Sequence, residues 1–319
     1  MNPVVIEERK VVFQIKSSQD NLVDKIQRLK TERKAIIVAH NYQIGEIQDV
    51  ADFVADSLDL AKKCRDTSAE VIVFCGVHFM AETAAIMNPE KIVLLPDLGS
   101  GCGMADMVTA EKVRVLKAEH SNAVVVCYVN SSAEVKAESD ICCTSSNAAK
   151  VVNSIPKEKE IIFIPDQYLG KWVAEQTGRE MILFNGYCPT HVRIMSSDIE
   201  TLRKRYPGAE VIVHPETTPE VTHTADKVLS TSGIAREARE TQAATVIVGT
   251  EIGILHRLQK ESPKKQFVPA CAWCDCGYMK KNTLEKVLWA LEDLEPRITV
   301  PKNVADRARE ALERMFAVG

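Results

Sequence analysis

The segment KAIIVAHNY, Lys34–Tyr42, is a continuous apolar run that ends in polar residues. The chain repeats this arrangement in AVVVCYVN, Ala123–Asn130, and in AEVIVHPE, Ala209–Glu216. An apolar run without alternation is typical of a parallel strand that is covered on both faces. The three segments therefore predict the first strands of three similar units.

The remaining parts of each unit recur in the same order. A helix that begins with hydroxyl residues follows each first strand, near Ser57, Ser145 and Ser230, at intervals of 88 and 85 residues. Two further apolar strands follow each helix, at Glu70–Phe74, Lys91–Leu95, Glu160–Ile164, Glu180–Phe184, Ala244–Val248 and Lys265–Val268. Strands that alternate with helices at this spacing predict small α/β layers.

One cysteine closes each unit. Cys102 and Cys188 are 86 residues apart, and Cys188 and Cys276 are 88 residues apart. Because internal periodicity outweighs the domain number expected from length, the predicted fold is α/β, with three similar small αβα domains whose parallel sheets are arranged about a pseudo-threefold axis. The predicted domains are residues 1–104 with 279–319, residues 105–190 and residues 191–278.

Some of the chain lies outside the repeat. Helical patterns around Asp20–Lys30, Thr283–Leu294 and Val304–Phe316 are expected to pack on the first domain. An alternative is an ordinary doubly wound sheet of six or nine strands, in which the spacing of the cysteines is accidental.

Composition narrows the class of protein. The 319 residues carry a net charge of −4, which provides no basic surface for nucleic acid or an anionic membrane. No apolar run approaches the length of a membrane span, and the first ten residues lack the core of a signal peptide. A cytoplasmic location is expected, where ten cysteines favour metal binding or catalysis over a disulfide framework.

The polar ends of the first strands predict one cavity. Ligands of parallel α/β units bind outside the carboxyl ends of the strands, and side chains two residues apart point the same way. The residues gathered there would be His40, Tyr42, Tyr128, Asn130, His214 and Glu216. Histidine, tyrosine and glutamate are suitable for proton transfer. The alternative is that each is an ordinary polar residue at a strand end.

The hydroxyl-led helices predict anion binding beside this cavity. A helix start carries partial positive charge and free N–H groups. Three such starts, at Ser57, Ser145 and Ser230 with Thr231, would hold phosphate or carboxylate groups. Simple capping of each helix by its own hydroxyl is the alternative.

The three evenly spaced cysteines suit a metal cluster. Thiolates favour zinc, copper(I) and iron–sulfur clusters. A structural zinc site usually shows two close pairs of ligands, whereas this chain has one CxxC, at Cys271 and Cys274. Single ligands on three separate loops fit a [4Fe–4S] cluster with one open iron better.

Motifs along essentially the whole chain resemble those of the quinolinate synthase family, in the family's order. They are AHNYQ (Ala39–Gln43), ADSL (Ala55–Leu58), GSGCGMAD (Gly99–Asp106), YVNSSAEVKA (Tyr128–Ala137), CTSSNA (Cys143–Ala148), GYCPTH (Gly186–His191), HPE (His214–Glu216), STSG (Ser230–Gly233) and CGYMKKNTLEK (Cys276–Lys286). The resemblance implies a [4Fe–4S] cluster held by Cys102, Cys188 and Cys276. It selects Cys276 over the nearby pair Cys271 and Cys274, which would form either a redox-sensitive disulfide or a passive pair.

The resemblance also implies a reaction. The family condenses iminoaspartate with dihydroxyacetone phosphate to quinolinate, releasing phosphate and two waters, with the open iron as Lewis acid. The implied proton-transfer residues are Tyr42, His214 and Glu216. The implied substrate-binding residues are His40, Ser57, Tyr128, Asn130, Ser145, Ser230 and Thr231. A transient contact with an L-aspartate oxidase or dehydrogenase is a further expectation.

Three other functions would use parts of the same pattern. An aconitase-type hydro-lyase would use the open iron on another substrate, and product analysis separates the two. A cluster-based iron or oxygen sensor would usually carry a DNA-binding or signalling module, and none is visible in the sequence. A protein stapled by zinc would contain zinc and show no charge-transfer absorbance.

Overall fold

The computed structural model describes residues 21–318, and these contain twelve strands in three four-stranded sheets. The strands are β1 Ala35–His40, β2 Phe53–Ala55, β3 Val71–Cys75, β4 Ile92–Leu94, β5 Val124–Tyr128, β6 Ile141–Cys143, β7 Ile161–Ile164, β8 Ile182–Leu183, β9 Glu210–Val213, β10 Lys227–Val228, β11 Thr245–Gly249 and β12 Gln266–Pro269. The sheet orders are β2-β1-β3-β4, β6-β5-β7-β8 and β10-β9-β11-β12. We call the three sheets with their helices the first, second and third units.

Every strand pair within these sheets is parallel, and the three sheets share one topology. This confirms the prediction of an α/β fold built from three similar units and excludes a single doubly wound sheet. The exact domain boundaries given above stay a proposal.

Each unit contains one strand more than the sequence predicted. The added strands β2, β6 and β10 are two or three residues long and lie at a sheet edge. Each is preceded by an aspartate whose carboxylate accepts an N–H from the neighbouring first strand: Asp52 from Ile37 at 2.9 Å, Asp140 from Val125 at 2.8 Å, and Asp226 from Val211 at 2.7 Å. The backbone N–H of each aspartate donates in return to the carbonyl oxygen of that same first-strand residue, Ile37, Val125 or Val211. We call this two-way contact the aspartate clamp.

The helices connect the strands in the predicted alternation. They are α1 at residues 21–32, α2 Gly45–Val50, α3 Ser57–Asp66, α4 His78–Met87, α5 Ala110–Glu119, α6 Ala133–Ala137, α7 Ala148–Ser154, α8 Gln167–Thr177, α9 Ser196–Arg205, α10 Pro219–Thr222, α11 Thr231–Glu240, α12 Ile254–Glu261, α13 Leu284–Asp293 and α14 Lys302–Val318. Asp20, where the N-terminal helix was expected to begin, lies outside the described residues. None of the described helices is both long enough and apolar enough to span a bilayer.

The two C-terminal helices pack in different places. Helix α13 buries Val287 and Leu291 in the same hydrophobic cluster as Ile37 and Val73 of the first sheet, as expected. Helix α14 lies mainly against α6 and β6 of the second unit, with a smaller contact to α4 of the first. The expectation that both helices pack on the first unit is therefore wrong for α14, which joins the first two units.

Cys271 and Cys274 are joined by a disulfide, with their Cα atoms 5.4 Å apart. This answers the question that the CxxC left open between a bonded and an unbonded pair. Cys102, Cys188 and Cys276 are free thiols.

Candidate active site

A cavity of about 640 Å³ lies where residues of all three units meet. The residues that follow β1, β5 and β9 contribute to its wall, as expected for the carboxyl ends of parallel strands. Eleven of the thirteen predicted site residues line it: His40, Tyr42, Ser57, Cys102, Asn130, Ser145, Cys188, His214, Glu216, Thr231 and Cys276. Tyr128 and Ser230 are outside the lining.

The ends of β1 and β9 adopt the same local turn. The Nδ1 atom of His40 accepts the N–H of Tyr42 at 3.2 Å, and Nδ1 of His214 accepts the N–H of Glu216 at 3.4 Å. Burial lowers the pKa of His40 to about 4 and that of His214 to about 3. Both rings are therefore neutral near pH 7, with the hydrogen on Nε2. His214 then donates from Nε2 to Ser145 Oγ, 3.2 Å away.

Glu216 is the charged centre of the cavity. Tyr128 donates its hydroxyl to Oε1 at 2.6 Å, Asn130 donates to the same oxygen at 3.3 Å, and His191 Nδ1 lies 2.8 Å from Oε2. Burial alone would raise the pKa of Glu216, but His191 and the hydrogen bond from Tyr128 outweigh it and lower the pKa to about 2. Glu216 is therefore an ionised acceptor that is saturated with donors.

A continuous line of hydrogen-bonding groups connects Glu216 to Tyr42. The hydroxyl of Tyr42 hydrogen-bonds with Thr250 Oγ1 and lies 3.3 Å from His191 Nε2. Thr250 Oγ1 is itself 2.8 Å from His191 Nε2. Burial raises the pKa of Tyr42 well above its usual value, so its phenol is neutral. The line joins the third unit to the first, with an ionised carboxylate at one end and a neutral phenol at the other.

The three hydroxyl-led helix starts meet at Asp56. Its Oδ1 atom accepts the N–H groups of Leu58 and Asp59 at the start of α3, and its Oδ2 atom accepts Ser146 Oγ at 2.7 Å and Ser230 Oγ at 3.4 Å. Ser230 Oγ also accepts the N–H of Gly233 and so caps α11. Substrate contact by Ser230 stays a prediction.

Two of the lining hydroxyls remain able to donate into the cavity. Thr231 Oγ1 accepts a hydrogen bond from Asn41 at 2.9 Å, and Ser145 Oγ accepts one from His214. A hydroxyl that accepts from the protein keeps its own hydrogen for another partner. Ser57, at the first position of α3, also lines the cavity. These positions are compatible with the predicted anion binding.

The three cysteines share one local structure. A short 3₁₀ turn begins three residues after each of them, at Ala105–Met107, His191–Arg193 and Met279–Lys281. Burial raises the pKa of each thiol, for Cys102 to about 12, while N–H groups two and three residues further along oppose that rise. These N–H groups come from Met104, Ala105, Thr190, His191, Tyr278 and Met279.

This donor set fits a cubane cluster with one open iron. Three thiols from three units face one cavity, each with N–H groups directed at its sulfur, and cationic iron would supply the charge that buried thiolates need. Ligand atoms of Cys188, His191 and Glu216 also lie within 4.8 Å of one another, which is close enough for one metal ion. His191, however, is already engaged with Glu216 and Thr250.

Sequence reasoning missed His191, Thr250 and Glu251, which lie next to the predicted residues. His191 stands three residues after Cys188 in GYCPTH, a spacing that is usual for paired metal ligands and that would have singled it out. Thr250 and Glu251 follow β11, the second strand of the third unit. The prediction depended on the polar ends of the first strands, and β11 is a second strand.

The fold and the site define a class of protein: three fused α/β units around one cavity lined by three thiols and a network of hydrogen-bonded histidine, tyrosine and glutamate side chains. A family model described as quinolinate synthetase A protein matches residues 24–317. The chain belongs to this family of enzymes.

Individual relatives agree with this assignment. A quinolinate synthase of Dehalococcoides mccartyi strain CBDB1 is 56% identical over 294 residues, covering 92% of this chain and 97% of the relative. A quinolinate synthase of Thermus thermophilus is 50% identical over 307 residues, covering 93% and 97%. That of Methanosarcina barkeri strain Fusaro is 49% identical over 300 residues, covering 94% and 98%. The resemblance found in the motifs is confirmed.

Proposed function

We propose that this chain makes quinolinate for NAD biosynthesis, by condensing iminoaspartate with dihydroxyacetone phosphate and releasing phosphate and two waters. The observation that carries the proposal is the line of groups from Tyr42 through His191 to Glu216, in the same cavity as three free thiols. A condensation with two dehydrations needs several proton transfers at one place, and in this proposal the groups of this line carry them.

Cys102, Cys188 and Cys276 would hold a [4Fe–4S] cluster. When bound, its open iron supplies a Lewis acid that polarises a hydroxyl or carboxylate oxygen. The N–H groups two and three residues after each cysteine stabilise the thiolates.

The helix starts would bind the anionic groups of the substrates. Ser145 and Thr231 keep a hydrogen to donate, because each already accepts from the protein. Ser57 adds a third hydroxyl at the start of α3. Asp56 takes up the hydroxyls of Ser146 and Ser230, so phosphate and carboxylate groups would bind beside Asp56 rather than on it.

Proton transfer falls to Tyr42, His214 and Glu216. The neutral phenol of Tyr42 donates, and the ionised carboxylate of Glu216 accepts. His214 donates from Nε2, while neutral His40 orients substrate from the neighbouring strand end. Tyr128 and Asn130 both donate to Glu216, so their first role is to hold that carboxylate in place; Asn130 also faces substrate.

The test is quinolinate formation by protein purified without oxygen and supplied with both substrates. We expect product from the wild-type chain and none from Cys276→Ala, whose iron content should fall as well. Iron-loaded protein that forms no quinolinate would overturn the substrate assignment and favour hydro-lyase chemistry.

We also propose that the chain works in the cytoplasm and receives iminoaspartate through transient contact with an L-aspartate oxidase or dehydrogenase. The reason is that a reactive imine survives in water only long enough to diffuse a short distance. A rise in quinolinate yield when the two enzymes are mixed, beyond that with the imine supplied in solution, would support the contact.

A further inference from the structure

Glu251 is a buried carboxylate at the wall of the cavity. Its side chain has no exposed surface. Oε1 accepts the N–H of Cys276 at 2.9 Å and lies 2.8 Å from Lys280 Nζ, and Oε2 accepts the N–H of Gly253 at 2.7 Å. Two backbone N–H groups and one ammonium group therefore fix this carboxylate.

Lys280 carries the contact across to the first unit. Its Nζ atom donates to the carbonyl oxygen of Tyr42 at 2.5 Å. The space around the pair is full, since a Cβ atom on Gly253 would lie 2.6 Å from Lys280 Nζ and 2.7 Å from the Tyr42 oxygen. The chain of contacts thus runs from the backbone of Cys276, through Glu251 and Lys280, to the backbone of Tyr42.

Stability alone does not account for such a pair. The cost of removing two charges from water often cancels their attraction, so that apolar residues of similar size serve equally well. A buried carboxylate that is held by three donors, one of them a half-buried ammonium, is better suited to fixing geometry than to adding stability.

We propose that Glu251 and Lys280 are positioning residues that hold the loop of Cys276 in register with Tyr42. The proposal rests on the proposed function for the roles of Cys276 and Tyr42. Neither residue contacts the reacting atoms in this role. Each acts through the backbone of a residue that does.

The test uses the full chain, free of cluster and without oxygen or reductant, and measures how fast iodoacetamide alkylates each thiol. Mass spectrometry with fragmentation locates the label, and Cys102 and Cys188 serve as internal references. In Glu251→Gln and Lys280→Met, we expect Cys276 to react about threefold faster or more relative to these references, because its loop opens more often.

The two variants separate position from charge. Glu251→Gln removes an anion near the thiol and Lys280→Met removes a cation, so a purely electrostatic effect would change the rate in opposite directions. A rise in both variants supports positioning. Opposite changes, or no change in either, would overturn the proposal.

Two further variants provide controls. Lys260→Met breaks the ion pair between Lys260 of α12 and Asp49 of α2, whose side chains are 64% and 47% exposed. This variant should leave the alkylation rate of Cys276 unchanged. Lys280→Arg keeps the positive charge at this position, so its ratio should lie closer to the wild-type ratio than that of Lys280→Met. If Glu251→Gln does not fold, the test is the comparison of Lys280→Met with Lys280→Arg. Equal alkylation rates of Cys276, relative to Cys102 and Cys188, in these two variants would contradict the positioning role.

Turnover gives a second, separate readout. With cluster content matched, both variants should lose about tenfold in kcat with a smaller change in KM, because the reacting groups are displaced rather than lost. Failure of the wild-type chain to form quinolinate would refute the proposed function. The alkylation result does not depend on turnover and would still decide whether Glu251 and Lys280 position Cys276.

Discussion

Glu216→Gln is the substitution that tests the proposed chemistry most directly. The carboxylate receives hydrogen bonds from Tyr128 at 2.6 Å and Asn130 at 3.3 Å on one oxygen, and His191 lies 2.8 Å from the other. Glutamine fills the same space but has one acceptor oxygen and one donating NH2 group. In either orientation, the NH2 group faces a neighbour that donates.

The size of the effect follows from these contacts. Loss of a hydrogen bond to a charged group costs about 1.5–3 kcal/mol, so the protein should remain folded but unfold at a somewhat lower temperature. Loss of the base should lower kcat by about 10²–10⁴-fold. KM for both substrates should change much less, since Glu216 is already saturated with donors from the protein.

The assay is steady-state quinolinate formation by variants with matched iron and sulfide content. Glu220→Gln is the control, because Glu220 lies four residues further along and is exposed at the start of α10. A kcat of Glu216→Gln within about threefold of wild type, with the cluster intact, would remove Glu216 from proton transfer.

Three further predictions concern other parts of the molecule. Asp140→Ala removes the side-chain acceptor of one aspartate clamp, leaves the N–H of Val125 without it, and should lower the free energy of unfolding by about 1–3 kcal/mol without changing kcat. Chemical denaturation measures the free energy, and an unchanged value would show that the clamp is not stabilising. Arg193 and Lys281 line the cavity and are exposed. The double variant Arg193→Gln, Lys281→Gln should therefore have a lower kcat/KM for the anionic substrates, and this kcat/KM should depend less on salt concentration. An equal salt dependence of kcat/KM in the wild type and the variant would contradict this prediction. Burial lowers the pKa of His214 from an ordinary value of 6.5 to about 3. The unfolded chain therefore binds more protons between these pH values, and the free energy of unfolding should fall as pH drops from about 6.5 toward 3. His214→Asn should show a shallower fall, and identical pH profiles of the two proteins in thermal unfolding would refute the assignment.

The sequence predicted the parts of the site that depend on strand periodicity. His40 and Tyr42, like His214 and Glu216, stand two residues apart just where an apolar run ends, so their common direction follows from the geometry of a strand. Packing of the three units around one cavity then brings the three strand ends together. For these residues, local pattern and global fold give the same answer.

Other features depend on contacts that no local pattern reveals. The strands β6 and β10 have three and two residues, too few for a periodic signal, and are defined by pairing with their neighbours. Ser230 is a hydroxyl residue at a helix start, as is typical of an anion site, yet its hydroxyl caps α11 and contacts Asp56. Its direction is decided by a residue far away in the sequence.

The aspartate clamps show how closely the three units correspond. Asp52, Asp140 and Asp226 are 88 and 86 residues apart, and each stands twelve residues after the polar residue where its first strand ends, His40, Tyr128 or His214. These three polar residues therefore occupy equivalent positions of one repeated unit. A symmetric trimer of identical chains would have to place the same residue at all three positions. Because the units are joined in one chain, each position carries its own residue, and one site combines two neutral histidines with a tyrosine.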